Sequence, residues 1–376
     1  MIPYGRQWID NEDKEEVMKV LGSDWLTTGP KVGEFENALC KYVGCKHSVA
    51  VNSGTSALDV AVGALDLPEG SEVITTPFTF AATSNALLYN RLKPVFADIQ
   101  KDTRNIDPED IRRKITPKTR AISYVDYAGH PCDIKEIKEI AEEYNLYLIE
   151  DACHALGASY YGKKIGNFAD LTVFSFHPVK PITTGEGGAV VTNNSELAER
   201  ARLLHSHGID KSATERYGPD AGWAYDMKML GRNYRMTDIQ AALGISQLKK
   251  LDMFIEKRQE IAELYNELLR DCEFVEIPVT KEGIKHGWHI YTILLKDVNR
   301  DKFFTYMRKS GIGVNVHYIP TYHFSYYRKH FDFDENDYPI TEDVFKRIIT
   351  LPIYPKMCNE DVELVVKTIK DGNPFE

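Results

Sequence analysis

The stretch LTVFSFHPVKPITTGEGGAVVT spans residues 171–192 and holds one lysine between two apolar runs. The apolar runs predict β-strands, and the Thr- and Gly-rich segment between them predicts a turn. Lys180 lies between Pro178 and Pro181, whose rings restrict the backbone. A lysine amine held in one position is the nucleophile that forms Schiff bases with carbonyl compounds. On this stretch alone, a solvated loop lysine is the alternative.

Strands and helices alternate along the first half of the chain. The predicted strands are 48–51, 72–76, 94–98, 121–125, 147–151, 171–176 and 189–192, and the helices between the earlier ones are 55–65, 81–89, 108–115 and 134–144. This alternation predicts an α/β fold with a mostly parallel, seven-stranded sheet flanked by helices. Ligands of such sheets bind beyond the carboxyl ends of the strands, so the residues that follow each strand are candidates for a site.

The chain has 376 residues, more than one core usually spans. We predict an N-terminal arm at 1–30, a large domain at 31–245 and a smaller α+β domain at 246–376. Further predicted elements are a helix at 12–21 capped by Asn11, a helix at 31–43, a helix at 195–206, a long helix over about 236–270 that links the two domains, strands at 290–295 and 314–318, and helices at 301–310 and 359–371.

Composition narrows the class of protein. The formal net charge of −10 argues against nucleic acid or an anionic membrane as the main partner. No apolar run is long enough to span a bilayer, and the first residues contain no apolar signal core, so a cytoplasmic location is expected. The six cysteines are scattered, so free thiols are expected and neither a disulfide framework nor a metal site is predicted.

The string S-G-T-S follows the first predicted strand and opens a helix. Free N–H groups and the helix dipole make a helix start of this kind a site for anions. Gly54 lets the backbone come close to a ligand, and the hydroxyl of Thr55 adds a donor. Ordinary capping by Ser53 or Thr55 is the alternative.

Other strand ends carry aromatic and acidic residues. Phe80 follows the second strand and is suited to stack on a planar ring, with a place in the core as the alternative. Asp151 ends an apolar strand, where a carboxylate requires a cationic partner, unless it only caps a helix. An anion site, an aromatic ring, a buried acid and Lys180 at one sheet edge together indicate pyridoxal phosphate, whose pyridinium nitrogen pairs with an acid.

Four longer motifs carry a family resemblance. They are NSGTSAL at 52–58, EDACHALGA at 150–158, SFHPVKPITTGEGGAVVTN at 175–193 and GRNYRMTDIQAALGISQL at 231–248. With them the chain resembles the DegT/DnrJ/EryC1/StrS sugar-nucleotide aminotransferases, which belong to the fold-type I pyridoxal 5′-phosphate enzymes. The resemblance covers nearly the whole chain, and it implies that residues 31–245 form the cofactor-binding domain.

The resemblance implies a role for each of these residues. Lys180 would form the Schiff base with pyridoxal phosphate and move protons, and Asp151 would pair with the pyridine nitrogen. The other implied cofactor contacts are Phe80 on the ring, His154 near the phenolic oxygen, and Gly54, Thr55, Ser56 and Ser175 at the phosphate. Asn233 would reach the phosphate from a second subunit, which implies a homodimer with shared active sites, although the same residues could simply form a helix entry.

Lysine at position 180 resembles the aminotransferases of the family, since its sugar dehydratases carry histidine there. The segments IPYGRQ at 2–7, FHPVKPI at 176–182 and VHYIP at 316–320 resemble the branch that serves pseudaminic acid synthesis. That branch aminates C4 of a UDP-linked 4-keto-6-deoxy-N-acetylhexosamine, with L-glutamate as donor, 2-oxoglutarate as product and pyridoxamine phosphate between the two half-reactions.

Three alternatives stay open at this point. The substrate could be a different nucleotide-linked 3- or 4-ketosugar. The chain could be another pyridoxal phosphate enzyme, such as a lyase or a desulfurase, although no cysteine lies in an obvious mobile loop. It could also be a non-catalytic regulator on the same fold, although the presence of both Lys180 and Asp151 argues against that function.

The sugar nucleotide is expected to meet aromatic residues with polar tips, because it offers apolar ring faces beside many hydroxyls. The predicted substrate residues are Tyr4, Asp24, Trp25, Leu26, Thr27, His317 and Tyr318. The aromatic loop at 322–327 follows them, and a core or interface cluster is the alternative for it.

Overall fold

The computed structural model of the protein describes residues 1–210 and 223–372. Its strands are β1 (His47–Val51), β2 (Glu72–Thr75), β3 (Lys93–Phe96), β4 (Thr119–Val125), β5 (Tyr147–Asp151), β6 (Ser159–Tyr160), β7 (Lys163–Lys164), β8 (Leu171–Ser175), β9 (Gly188–Thr192), β10 (Val275–Glu276), β11 (Ile284–Lys285), β12 (Tyr291–Leu295) and β13 (Ile348–Leu351). Seven of them form the main sheet in the order β1-β9-β8-β5-β4-β2-β3. β9 is antiparallel to both neighbours and the other pairs are parallel, which confirms the predicted fold class.

Helices pack on both faces of this sheet and around a second, smaller core. They are α1 (Asn11–Leu21), α2 (Pro30–Val43), α3 (Gly54–Ala64), α4 (Ala82–Tyr89), α5 (Pro108–Lys114), α6 (Ile134–Tyr144), α7 (Ser195–His205), α8 (Asp238–Leu248), α9 (Leu251–Leu269), α10 (Arg300–Lys309), α11 (Ser325–His330), α12 (Pro339–Arg347) and α13 (Asn359–Asp371). No helix among the described residues is both long enough and apolar enough to cross a bilayer.

Burial on both faces explains why the strands have continuous apolar sequences. In β8, Val173 and Phe174 are both fully buried and belong to the hydrophobic clusters on opposite faces. A sheet covered on both sides removes every side chain of its central strands from water, which is why parallel strands lack the alternation of half-exposed sheets.

A second hydrophobic core forms around β12 and β13, with α10 and α13 packed against them. α9 contributes Phe254 and Ile255 to the core of the large sheet and Tyr265 and Leu269 to this second core. The division into an arm at 1–30 and domains at 31–245 and 246–376 stays a prediction.

Two helix predictions were wrong in detail. The cap of α1 is Asp10 rather than Asn11, because the carboxylates of Asp10 and Asp13 each accept a backbone N–H from the other residue. The long helix predicted over 236–270 is two helices separated by a turn at residues 249–250. The turn redirects the chain, so that α9 reaches the second core.

The strand predicted at 314–318 was also wrong. Only Asn315 pairs with another strand, through a single bridge to Thr350. Beyond that bridge the backbone is fixed by a side chain, since the hydroxyl of Tyr127 donates to the carbonyl of His317 at 2.6 Å. This contact turns the segment away from the second sheet and toward the carboxyl ends of the large one.

Candidate active site

A cavity of about 410 Å³ lies beyond the carboxyl ends of β1, β5 and β8. Ten of the predicted site residues line it: Tyr4, Gly54, Thr55, Phe80, Asp151, His154, Ser175, Lys180, His317 and Tyr318. Their convergence follows from topology, because parallel strands bring the residues after each strand to the same edge.

Lys180 lies in the turn between β8 and β9. Its backbone N–H donates to the carbonyl of His177 at 2.9 Å, which closes the turn beside the two prolines. Burial lowers the pKa of the Lys180 amine, although the neighbouring Cys153 and Asp151 side chains oppose the shift. A lowered pKa increases the neutral fraction of the amine, and only the neutral amine is a nucleophile or a base.

The Asp151 carboxylate ends β5 and is almost fully buried. Its Oδ2 accepts from the hydroxyl of Thr83 at 2.8 Å, and its Oδ1 accepts from the backbone N–H of Cys153 at 3.2 Å. The hydroxyl of Thr79 lies 2.9 Å from that of Thr83 and must donate to it, because the Thr83 proton is already used. Asp151 precedes turns rather than a helix, so it acts as no helix cap.

His154 is held in one tautomer. Its Nδ1 accepts from the backbone N–H of Ala128 at 3.2 Å, so the ring proton must be on Nε2, which lies 3.0 Å from the hydroxyl of Tyr318. Burial lowers the pKa of His154 well below its usual value, and the charges of Lys180 and His317 lower it further. A neutral ring with a donor at Nε2 therefore faces the cavity.

The N–H that fixes this tautomer comes from an unusual turn. Ala128 has φ +60°, a left-handed conformation that a residue with a Cβ rarely adopts. Gly129 follows with φ +96°, and a Cβ there would lie 2.8 Å from the carbonyl oxygen of His154. Strain of this kind is found where the surrounding structure holds a functional geometry.

The start of α3 forms a pocket suited to an anion. A Cβ on Gly54 would lie 2.9 Å from the hydroxyl oxygen of Ser175, so only glycine allows the helix start and β8 to come this close. The hydroxyl of Ser53 caps the helix by accepting from the N–H of Ser56. Ser56 is buried outside the cavity lining, and its hydroxyl donates to Asn52. The helix start is therefore capped by Ser53, as the alternative proposed, and it also lines the pocket.

The two phenylalanines after β2 have different environments. Phe78 is fully buried and packs against Tyr127 in the core. Phe80 is 63% exposed at the cavity wall, with its ring centroid 6.3 Å from that of Tyr318. An exposed aromatic ring beside a cavity offers a face on which a planar group can stack.

Residues distant in sequence close the cavity. The carbonyl of Tyr4 accepts from the N–H of Ile353, which fixes the N-terminal segment to the second core. Nδ1 of His317 lies 2.9 Å from the hydroxyl of Thr350. Burial lowers the pKa of His317 to about 4, with a further contribution from the charge of Lys180. Burial likewise raises the pKa of the Tyr318 hydroxyl, so this group is a neutral donor.

Besides Ser56, five predicted site residues do not line this cavity. Asp24, Trp25, Leu26 and Thr27 lie at the start of α8, where the carbonyl of Leu26 accepts from the N–H of Asp238. Asn233 is exposed and pairs with Ser206 through an isolated bridge. In the aromatic loop, Tyr322 and Tyr327 pack in a core cluster with Phe96 and Tyr338. These two residues therefore follow the alternative stated for this loop, a core cluster.

Sequence reasoning missed Thr83, Tyr127 and His289. The His289 ring is buried at the cavity with its centroid 4.3 Å from that of His154. The backbone N–H of His289 donates to the carbonyl of Ala128 at 2.9 Å. Tyr127 comes two residues after β4, whereas Thr83 lies in α4 and His289 precedes β12 of the second sheet. Thr79 and Thr83 are four positions apart, a spacing at which two side chains can interact, but this spacing does not identify Asp151 as their partner.

Comparisons with known proteins agree with this geometry. The chain is 44% identical over 375 residues to the UDP-4-amino-4,6-dideoxy-N-acetyl-β-L-altrosamine transaminase of Campylobacter jejuni, covering 98% of this chain and 96% of that protein. Helicobacter pylori PseC, an aminotransferase involved in pseudaminic acid biosynthesis, superposes with a TM-score of 0.93 at 37% identity over 98% of each chain.

A putative sugar aminotransferase of Streptococcus pneumoniae in its PLP-form superposes with a TM-score of 0.92 at 30% identity over 98% of each chain. Residues 7–370 match the DegT/DnrJ/EryC1/StrS aminotransferase family. The chain belongs to this family of sugar aminotransferases.

Proposed function

We propose that this protein uses pyridoxal phosphate to move the amino group of L-glutamate to the C4 ketone of a UDP-linked 4-keto-6-deoxy-N-acetylhexosamine. The observation that carries the proposal is the convergence of the Lys180 amine and the buried Asp151 carboxylate on one cavity. The choice of sugar is supported by the Campylobacter jejuni relative, which is named as the transaminase of a UDP-linked 4-amino-4,6-dideoxy sugar.

The donor set of the cavity fits pyridoxal phosphate. The start of α3 at Gly54 and the hydroxyls of Thr55 and Ser175 would hold the phosphate, and Phe80 would cover the ring. Asp151 would pair with the pyridine nitrogen, held in place by Thr83. Lys180 and His154 would also contact the cofactor, Ser56 would support the phosphate site from the same helix start, and Asn233 would reach the phosphate from a second copy.

When bound, the cofactor would supply an electron sink at the carbon that loses its proton, and it would carry the amino group between the two substrates. The protein supplies the proton transfer. Nζ of Lys180 would take the proton from Cα of glutamate in the first half-reaction and would give a proton to C4 of the sugar in the second. Burial suits Lys180 to this role, because it lowers the pKa of the amine toward neutrality.

His154 would act as a fixed hydrogen-bond donor. Because Ala128 occupies Nδ1, Nε2–H is the only ring donor available to the phenolic oxygen of the cofactor. The Tyr318 hydroxyl, His317 and Tyr4 line the same cavity and would contact the sugar nucleotide. Their aromatic faces and polar tips match a substrate with apolar ring faces and many hydroxyls.

We further propose a homodimer in which each cavity is completed by the second copy. Asn233 and the segment of Asp24, Trp25, Leu26 and Thr27 would come from that copy, since in their own subunit they lie outside the cavity. Exposed apolar side chains that precede Asn233 in the sequence support this assembly: Trp223 is 92% exposed and Leu230 is 77% exposed. Burial against a second copy would remove these large apolar side chains from water.

A panel of UDP- and dTDP-linked ketosugars tests the substrate. Each sugar is incubated with the holoenzyme and L-glutamate, and the product is identified by NMR. We expect amination at C4 of the UDP-4-keto-6-deoxy-N-acetylhexosamine and formation of an equal amount of 2-oxoglutarate. Amination of a 3-ketosugar, or a preference for a dTDP-sugar, would show that the substrate is a different ketosugar. If no member of the panel were aminated, the proposed aminotransferase activity would be rejected.

A further inference from the structure

The C-terminal end of α2 brings two cysteines together. Gly44 adopts φ +82°, and the N–H of Cys45 donates to the carbonyl of Cys40 at 3.2 Å. This six-to-one hydrogen bond is a feature of the Schellman motif, in which the side chains at these two positions are frequently in contact. The positions usually hold an apolar pair, and here both hold cysteine.

Other contacts hold this helix end in place. The side-chain amide of Asn167 donates to the carbonyl of Val43, which would otherwise lack a partner at the end of the helix. The N–H of Gly44 also donates to Cys40, at 2.8 Å. The backbones of Cys40 and Cys45 are therefore fixed relative to each other, because the carbonyl of Cys40 accepts from the N–H groups of both Gly44 and Cys45.

The two thiols differ in acidity. The thiol of Cys45 donates to the carbonyl of His47 at 3.5 Å. The interaction of its sulfur with that of Cys40 is the main cause that lowers the pKa of Cys40, whereas burial and the charge of Glu36 raise this pKa and the charge of Arg202 lowers it. The same contact raises the pKa of Cys45. Cys40 and Cys45 are half-buried, whereas Cys132 and Cys272 are buried. A more acidic thiol next to a second thiol is the arrangement of redox-active pairs.

We propose that Cys40 and Cys45 form a reversible intramolecular disulfide when the protein meets a small-molecule disulfide such as oxidised glutathione. The Cys40 thiolate attacks one sulfur of the small disulfide, whose S–S bond breaks and releases one thiolate. The Cys45 thiol then loses its proton to solvent and attacks the Cys40 sulfur, releasing the second thiolate. The two cysteines are oxidised by two electrons, and the small disulfide is reduced to two thiols.

The test uses the full-length holoenzyme in a series of buffers with rising ratios of oxidised to reduced glutathione. Each sample is quenched with acid, its free thiols are alkylated with N-ethylmaleimide, and the intact mass and peptide map are recorded. We expect a species that has lost two hydrogen atoms, carries no glutathione, and has a cross-link between the peptides of Cys40 and Cys45. Its fraction should rise with the ratio and fall to zero on return to reduced glutathione.

Three variants make the outcome specific. Cys45→Ser should stop at a glutathione adduct on Cys40, because no second thiol displaces it. Cys40→Ser should form the adduct more slowly, because the more acidic thiol is gone. Cys358→Ser, which removes the exposed cysteine on the second core, should behave like the wild type. The proposal is overturned if the wild-type protein keeps both thiols alkylated in every buffer, or if Cys40 ends as a glutathione adduct with Cys45 intact.

Discussion

Nε2 of His154 and the hydroxyl oxygen of Tyr318 lie 3.0 Å apart, although they are 164 positions apart in the sequence. His154 follows the central strand β5, whereas Tyr318 comes from the segment next to the second core. Since Ala128 fixes the ring proton on Nε2, His154 donates and the Tyr318 hydroxyl keeps its own proton for another acceptor. This contact joins the proposed cofactor residues to the proposed sugar residues.

Replacement of Tyr318 by phenylalanine tests that division. The variant loses a neutral hydroxyl, so we expect KM for the ketosugar to rise about 5-fold, the effect of a hydrogen bond worth about 1 kcal/mol. The glutamate half-reaction, followed separately by single-turnover absorbance, should change little. Tyr326→Phe is the control, since Tyr326 is 57% exposed outside the cavity. A variant impaired only with glutamate would remove Tyr318 from the sugar site.

Replacement of Asp151 by asparagine removes the buried charge at the end of β5. We expect kcat to fall by about 100-fold to 1,000-fold, the range for loss of one fixed electrostatic partner, while the cofactor still binds. The absorbance spectrum measures occupancy and single-turnover kinetics measure the rate. Near-normal turnover in Asp151→Asn would mean that another residue holds the pyridine nitrogen.

The matched pair Thr83→Val and Thr79→Val refines this prediction. Thr83 donates directly to Asp151, whereas Thr79 donates only to Thr83. We expect Thr83→Val to lower the free energy of unfolding by about 1.5–3 kcal/mol, measured with urea, and Thr79→Val to lower it by less. Thr83→Val should also shift the pH profile of kcat, whereas a purely structural role would leave that profile in place.

The strands of the large sheet could be predicted because the signal for each strand lies within its own sequence. Strands buried on both faces have continuous apolar sequences, and all seven predictions matched within two residues at either end. β13 could not be predicted in this way, because its four residues follow directly after α12 and pair with β12, a partner more than 50 positions earlier. The wrong strand at 314–318 has a related cause, since the hydrogen bond from Tyr127 competes with strand pairing.

The site residues also fall into a group that could be predicted from the sequence and a group that could not. Gly54, Asp151, Ser175 and Lys180 follow strands of the large sheet, so topology alone brings them together. The tautomer of His154 depends on a left-handed residue, Ala128, for which the sequence gives no signal. Contacts made by tertiary packing have no pattern of spacing, and so the partners of the predicted residues were the part that the sequence could not supply.

Borohydride reduction tests the role of Lys180. We expect the holoenzyme to retain the cofactor covalently on a peptide that contains Lys180, because the Schiff base becomes a stable amine. Lys180→Ala should keep the fold, as shown by its circular dichroism spectrum, and lose about 10,000-fold in turnover, the upper range for an acid–base group. A reduced adduct on a different lysine would refute the assignment.

The buried histidines predict how stability depends on pH. His317 has a pKa of about 4 in the folded protein, against an ordinary value of about 6.5. Above pH 6.5 both states hold the ring neutral, whereas between pH 6.5 and 4 the unfolded state binds a proton that the folded state does not. The free energy of unfolding therefore decreases as the pH is lowered through this window. For His317 the decrease is about 2 kcal/mol at pH 5 relative to neutral pH.

Urea unfolding at pH 7 and pH 5 measures the effect. The His317→Asn variant should lose less stability between the two values than the wild type does, and His330→Asn, which changes an exposed histidine on α11, should match the wild type. Equal losses in all three proteins would show that His317 does not titrate in this window.

A shared active site predicts complementation between two inactive proteins. Lys180→Ala lacks the amine that moves the proton, and Asn233→Ala lacks the side chain proposed to reach the phosphate from the second copy. A heterodimer of the two variants has one cavity without either residue and one cavity with both, because Lys180 and Asn233 of one cavity come from different subunits. Mixing after subunit exchange, verified by native mass spectrometry of differently tagged chains, should therefore restore activity to about half of the wild-type value per heterodimer. If both residues of a cavity came from the same subunit, each cavity of the heterodimer would lack one of them, and activity would stay at the sum of the parents. Exchange without recovery would thus reject the contribution of Asn233 across the interface.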